Sequence, residues 1–138
     1  MRTINVRAEG SDRYSIRIGA HTLVVDQLIN DGGTDRGPTP TDLFVASLAS
    51  CTAHYAGRFL RRHGLGADGL EVSCSFEMAE DRPARVGSIS LDVGVPEGVP
   101  PHLSERFRAV IEHCTVKNSI VTPPRMHLHV SASDRSAA

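Results

Sequence analysis

Tryptophan is absent from the 138 residues, and two Tyr and four Phe are the only aromatics that could stand in for it. The core of this chain must therefore be built mainly from aliphatic side chains. An excess of either charge is also missing, since 15 Lys plus Arg face 16 Asp plus Glu for a net charge of −1. Phosphate backbones are bound through a basic excess, so this balance argues against a nucleic-acid partner. No uninterrupted apolar run reaches the length of a membrane-spanning helix, so no membrane association is expected. The start, Met1 to Arg7, has no apolar stretch after its basic residues, which argues against a secretory signal. Cysteine is scarce and odd in number, at three, which excludes a disulfide scaffold and fits a reducing, cytoplasmic setting.

What remains is ordinary globular usage, with 40% apolar and 22% charged residues in a chain the length of one domain spanning 1–138. Residues 1–30 alternate between apolar and polar: Tyr14, Ile16 and Ile18 share one strand face, and Thr22 to Asp26 form another run. Together with Ile4 to Ala8 they predict an antiparallel meander. Residues 30–38 are turn formers throughout and predict a loop. Its glycines do not cradle a phosphate, because no Gly-Lys-Ser/Thr follows them.

A helix is predicted over 39–63. Thr39 suits the N-cap, Pro40 the first helical position, and Asp42 stands three after Thr39 in capping-box register. From Leu43 to Ala53 the segment is apolar on nearly every face, the mark of a buried helix. Phe44, Leu48, Cys51, Tyr55 and Phe59 continue an apolar stripe, and Gly64 suits the stop. Period-two alternation over Leu70 to Met78 and Ile89 to Val95 predicts a strand hairpin within 68–95. A second amphipathic helix is expected over 101–120, carrying Leu103, Phe107, Val110, Ile111 and Cys114 on one face, with 115–120 either extending it or starting a short new turn. A last strand is expected over 125–131 through Met126, Leu128 and Val130, then a polar tail to Ala138. The order is three strands, helix, two strands, helix, strand, which is an α+β fold.

The cysteines divide by context. Cys74 sits on the inward face of an alternating strand and reads as a small core hydrophobe. Cys51 and Cys114 each lie on the apolar stripe of a helix, and both helices must pack into one small core. Two such thiols are either filler or a redox pair, in which one becomes a sulfenic acid and the other condenses with it. A pair of that kind needs a cation to lower the first thiol's pKa, because apolar burial raises it.

The run Gly37-Pro38-Thr39-Pro40-Thr41-Asp42-Leu43-Phe44-Val45-Ala46-Ser47-Leu48-Ala49-Ser50-Cys51, with His113-Cys114-Thr115-Val116-Lys117-Asn118-Ser119-Ile120 later, resembles the OsmC/Ohr family of osmotically inducible and organic hydroperoxide resistance proteins. The resemblance implies an intertwined, strand-swapped homodimer with two buried central helices between antiparallel sheets. It implies that Cys51 is the peroxidatic thiol and Cys114 the resolving one. The substrate would be an organic hydroperoxide, the electrons would come from an external dithiol of lipoyl type or a small thiol, and no metal, flavin or haem would be needed. An activating arginine is expected from the N-terminal strands, where Arg7, Arg13 and Arg17 stand; Arg13 is preferred, and swapping would bring it to Cys51 of the second subunit. Phe44, His54 and Tyr55 are expected to line the substrate approach. Two positions depart from the family pattern. Thr41 follows Pro40, so that Asp42, the residue expected to orient the arginine, comes one position late; and Thr115 stands where the family has proline after the second cysteine.

Three rival readings use the same residues. Cys51-x-x-His54 with His113-Cys114 offers a Cys₂His₂ set for zinc, but His113 and Cys114 project about 100° apart on a helix. His127 and His129 share a strand face and suit solvent better than a metal. A non-enzymatic dimer that binds a small apolar ligand in the same crevice is the principal alternative. Hydrolase chemistry lacks a third orienting group at a recognisable spacing.

Overall fold

Switches of hydrophobic period mark the elements, as seen in a computed structural model that describes residues 1–132. Residues 133–138 of the expected polar tail lie outside the described residues. Strands β1 (Ile4–Gly10), β2 (Arg13–Ile18) and β3 (His21–Val25) form an antiparallel sheet in the order β1-β2-β3. Its register pairs Val6 with Ile16 and Ile16 with Leu23. That register gathers Ile4, Val6, Ile16, Ile18 and Leu23 on one face, because side chains alternate along each strand. The face is open within this chain, with Ile4 and Val6 each 57% exposed.

A loop then carries the chain to the long helix, and the Asp26 carboxylate organises it. Asp26 is buried, yet it accepts the backbone N–H groups of Gln27 at 2.7 Å and Arg36 at 3.1 Å. It also accepts the N–H and hydroxyl of Thr34. These donors, the Thr34 hydroxyl first, hold its pKa far below the usual carboxylate range against the cost of burial. The loop wraps so tightly that side chains are excluded at two places. A Cβ on Gly33 would lie 2.0 Å from the Gln27 carbonyl oxygen, and one on Gly37 2.3 Å from that of Val24. Only glycine fits there.

Helix α1 (Pro40–Arg62) begins with the capping box its sequence spells. The Thr39 hydroxyl accepts from the Asp42 N–H at 3.1 Å, and the Asp42 carboxylate accepts from the Thr39 N–H at 2.9 Å. The helix closes on Gly64 in the left-handed region, while the Leu65 N–H reaches back to the Leu60 carbonyl at 2.8 Å. Strands β4 (Glu71–Met78) and β5 (Val86–Gly94) form a separate two-stranded antiparallel sheet. Helices α2 (Pro101–Glu112) and α3 (Thr115–Val121) follow. The core sits at the C-terminal half of α1, where Ala56, Phe59 and Leu60 meet Phe107 of α2, with Leu70, Val93 and Ile111 packed around them.

Two expectations are corrected. The helix expected over 101–120 is broken at His113 and Cys114 into two helices. Cys114 is extended (φ −68°, ψ 154°) and is the N-cap of α3 rather than an interior helical residue. Residues 125–131 form no strand among the described residues; Met126, Leu128 and Val130 are 85%, 93% and 83% exposed. Their alternation provides the apolar row of a strand, but strands are made by partners, and this chain offers none there. Within one chain helix α1 is covered on one side, and the other side is left for whatever packs against it. Val45, Leu48 and Thr52 are buried, whereas Phe44 is 42% exposed, and Ala46, Ser47 and Ser50 are exposed beside it.

Candidate functional site

Helix α1 presents Cys51 in its fourth turn, and the break before α3 brings Cys114 near it. Cys51 is half-buried and Cys114 wholly buried, and all three cysteines are free thiols. Burial is the largest influence on the Cys51 thiol and pushes its pKa above the ordinary value. The neighbouring Cys114 thiol raises it further, through its hydrogen bond and its charge. Two groups oppose this: the backbone N–H groups of Val116 and, more weakly, Thr115 donate toward the Cys51 sulfur.

Those donors come from the first turn of α3, whose N–H groups have no partner within the helix. The Cys114–Thr115 break thus does two things, seating the second thiol and aiming backbone donors at the first. Thr115 stands at the first position of α3, which proline would also suit. The departure from the family pattern therefore leaves the backbone turn intact and supplies an N–H that proline lacks. The Thr115 hydroxyl is spoken for by Tyr55, with the two oxygens 2.8 Å apart. That bond ties the helix turn after Cys51 to the one after Cys114.

The remaining expected site residues are distributed as follows. Asp42 is engaged in the capping box and forms no ion pair with an arginine among the described residues. Arg13 is half-buried at the start of β2, and its guanidinium contacts the Glu9 carbonyl at 3.4 Å. Neither Arg13 nor Arg7 nor Arg17 is among the groups that shift Cys51 within one chain. Phe44 and His54 are exposed on the uncovered side of α1, with the His54 ring edge-on to Tyr55 at 5.7 Å. Cys74 lies half-buried on β4, where burial raises its pKa and no cation offsets this. Among the described residues, no group of three or more His, Cys, Asp or Glu converges as a metal site. Among the described residues no helix is long and apolar enough to cross a membrane.

Two features escaped the sequence reading. The backbone donors of α3 carry no side-chain signal; only the family proline position hinted that a turn begins there. The second is a cleft of about 730 Å³ on the other flank of α1, lined by Leu48, Thr52, Ile89, Phe107, Ile111 and Lys117 among others. Thr52 is 3% exposed and its hydroxyl has no hydrogen-bond partner among the described residues. A lone Thr in an apolar helix was its only trace in the sequence.

A profile of the OsmC-like protein family matches residues 33–129. Comparison with curated protein sequences finds no match. Among solved structures, a Psychrobacter arcticus protein assigned to the osmotic stress and detoxification response superposes with a TM-score of 0.78 at 25% identity, over 86% of this chain and 88% of that one. An organic hydroperoxide resistance protein OsmC of Legionella pneumophila gives 0.64 at 18% identity, over 87% and 90%. The organic hydroperoxide resistance protein OhrB of Bacillus subtilis gives 0.59 at 18% identity, over 85% and 89%. The last two likenesses establish a shared fold.

Proposed function

The chain belongs to the OsmC-like family, and on that premise we propose that it reduces organic hydroperoxides with Cys51 as the reacting thiol and Cys114 as the resolving thiol. The observation that carries this reading is that the Cys114 thiol and the first N–H groups of α3 lie near enough to the Cys51 thiol to influence its ionisation. The Cys51 thiolate attacks the terminal oxygen of the hydroperoxide, the O–O bond breaks, and an alcohol leaves with a proton. Cys51 is now a sulfenic acid. The Cys114 sulfur attacks it, an S–S bond forms and water leaves. An external dithiol then returns two electrons and two protons and leaves as its own disulfide.

Burial works against the first step, because it keeps Cys51 protonated. The α3 donors offset part of that cost, and a guanidinium from a second copy would offset more. Three observations support a strand-exchanged homodimer able to supply one: the open apolar face of the β1–β3 sheet, the uncovered side of α1, and the exposed row Met126, Leu128 and Val130. Burying such surfaces is what drives association. In that arrangement Arg13 of one subunit would stand beside Cys51 of the other, with Phe44, His54 and Tyr55 along the approach. Free thiols of this kind fit a reducing cytoplasm.

The decisive experiment treats reduced protein with one equivalent of cumene hydroperoxide and maps the product by mass spectrometry. A Cys51–Cys114 crosslink is expected, Cys51→Ser should consume no peroxide, and Cys114→Ser should accumulate higher oxides of Cys51. Unchanged peroxide consumption by Cys51→Ser would end the reading.

A second reading, a dimer that binds a small apolar ligand without turnover, is favoured by the 730 Å³ cleft and the unpartnered Thr52 hydroxyl within it. Thiols indifferent to peroxide, together with retained binding of an apolar probe, would select it.

A further inference from the structure

Cys51, Tyr55, Arg58 and Arg62 recur at four, seven and eleven residues from the first, so they form one line along α1. Beyond Tyr55 that line runs into a pocket of about 300 Å³ between α1 and α2, lined by Arg58, Arg62, His63, Arg106, Tyr55, Phe59 and Val110. Its basic side chains are three arginines and His63, whose Nδ1 is held 2.9 Å from the Phe59 carbonyl, and no Asp or Glu is in its lining. Among the described residues none of the three arginines forms a salt bridge. Like charges held around one concavity repel one another, and an oxyanion shared between guanidiniums relieves that repulsion in a planar, bidentate way. The pocket is also partly apolar: the Tyr55 ring and Val110, over a floor of buried Phe59 stacked against His63, offer a surface that a free inorganic anion would not use.

We infer that this pocket binds the carboxylate end of an amphipathic organic acid, whose chain lies along the Tyr55 line toward Cys51. Helical rise puts Arg58 about 10 Å and Arg62 about 16 Å along the axis from Cys51, a span that a medium-length hydrocarbon chain covers. Tyr55 joins the two ends, since it lines the pocket and its hydroxyl holds Thr115 beside Cys114. The placing of a reactive end at Cys51 rests on the proposed peroxidase chemistry; the carboxylate site itself does not.

Calorimetric titration of the intact protein with decanoate, 1-decanol and inorganic phosphate tests the site directly. Decanoate should bind and the other two should bind at least tenfold more weakly. R62A/R106A, at two exposed positions where folding is not at stake, should weaken decanoate by about tenfold or more, as loss of charge-assisted bonds to a carboxylate requires. R58A should do the same. Failure of decanoate to bind, equal affinity for decanol or phosphate, or unchanged affinity in the variants would each overturn the inference. A kinetic arm compares a hydroperoxide bearing a free carboxylate with its methyl ester. Wild-type protein should prefer the acid in kcat/KM, and R62A/R106A should lose that preference. If neither hydroperoxide turns over, the peroxidase reading falls while the calorimetry still decides the pocket.

Discussion

Replacing Asp42 by alanine separates two roles that one carboxylate could hold. In the structure it accepts the Thr39 N–H at 2.9 Å, in the first turn of α1, where the helix dipole favours a negative charge. A charge-assisted hydrogen bond at a half-buried site, with the dipole interaction added and water competing for the freed N–H, comes to about 1–2 kcal/mol. For a domain of this size that corresponds to a fall in Tm of roughly 3–8 °C. The Thr39 hydroxyl still accepts the N–H of residue 42 in the variant, so only half the box is lost. Asp42→Asn retains an acceptor oxygen and should recover most of the stability. Thermal melts of the wild type and both variants measure this, beside peroxide consumption on the same samples. If capping is the whole role, activity should track the folded fraction and Asp42→Asn should be active. An unchanged Tm in Asp42→Ala would refute the capping argument. A fully stable Asp42→Asn protein with no activity would instead give the carboxylate a partner that a neutral amide cannot hold, such as an arginine of the second subunit.

Two further outcomes test the neighbourhood of the site. Thr115→Pro suits the first position of α3 but removes an N–H aimed at Cys51, so Cys51 alkylation by iodoacetamide at neutral pH should slow. Thr115→Val keeps the N–H and loses only the hydroxyl bond to Tyr55, so equal slowing in both variants would discredit the backbone donor. Asp26→Asn tests the loop that leads into α1. The folded-state pKa of Asp26 is depressed, so its contribution to stability is complete above the unfolded carboxylate range and drains away as pH falls below about 4. The difference in urea midpoint between wild type and variant should therefore be larger at pH 7 than at pH 3, and a gap that does not narrow would contradict the assignment.

Much of the local structure could be read from residue order, because its causes are local. The capping box at Thr39 and Asp42, the stop at Gly64 and the alternation of β4 are written within a few residues of where they act. The break at Cys114 was less legible: the apolar face of α2 runs on in register, and only backbone dihedrals show that the chain turns out and starts again. Asp26 at the end of an apolar run gave no hint of its donors, which apart from the adjacent Gln27 N–H arrive from residues eight and ten positions later.

The amino-acid order alone determined an aliphatic α+β chain with Cys51 on an apolar helix stripe and a second cysteine, Cys114, far from it in the chain, since composition, period and capping are short-range properties. Only the tertiary structure decided that those thiols lie near each other, that α3 points its first N–H groups at Cys51, and that three arginines from two helices share one pocket. Distances between segments far apart in the chain depend on how helices pack, and packing is a property of the whole core rather than of any stretch of it.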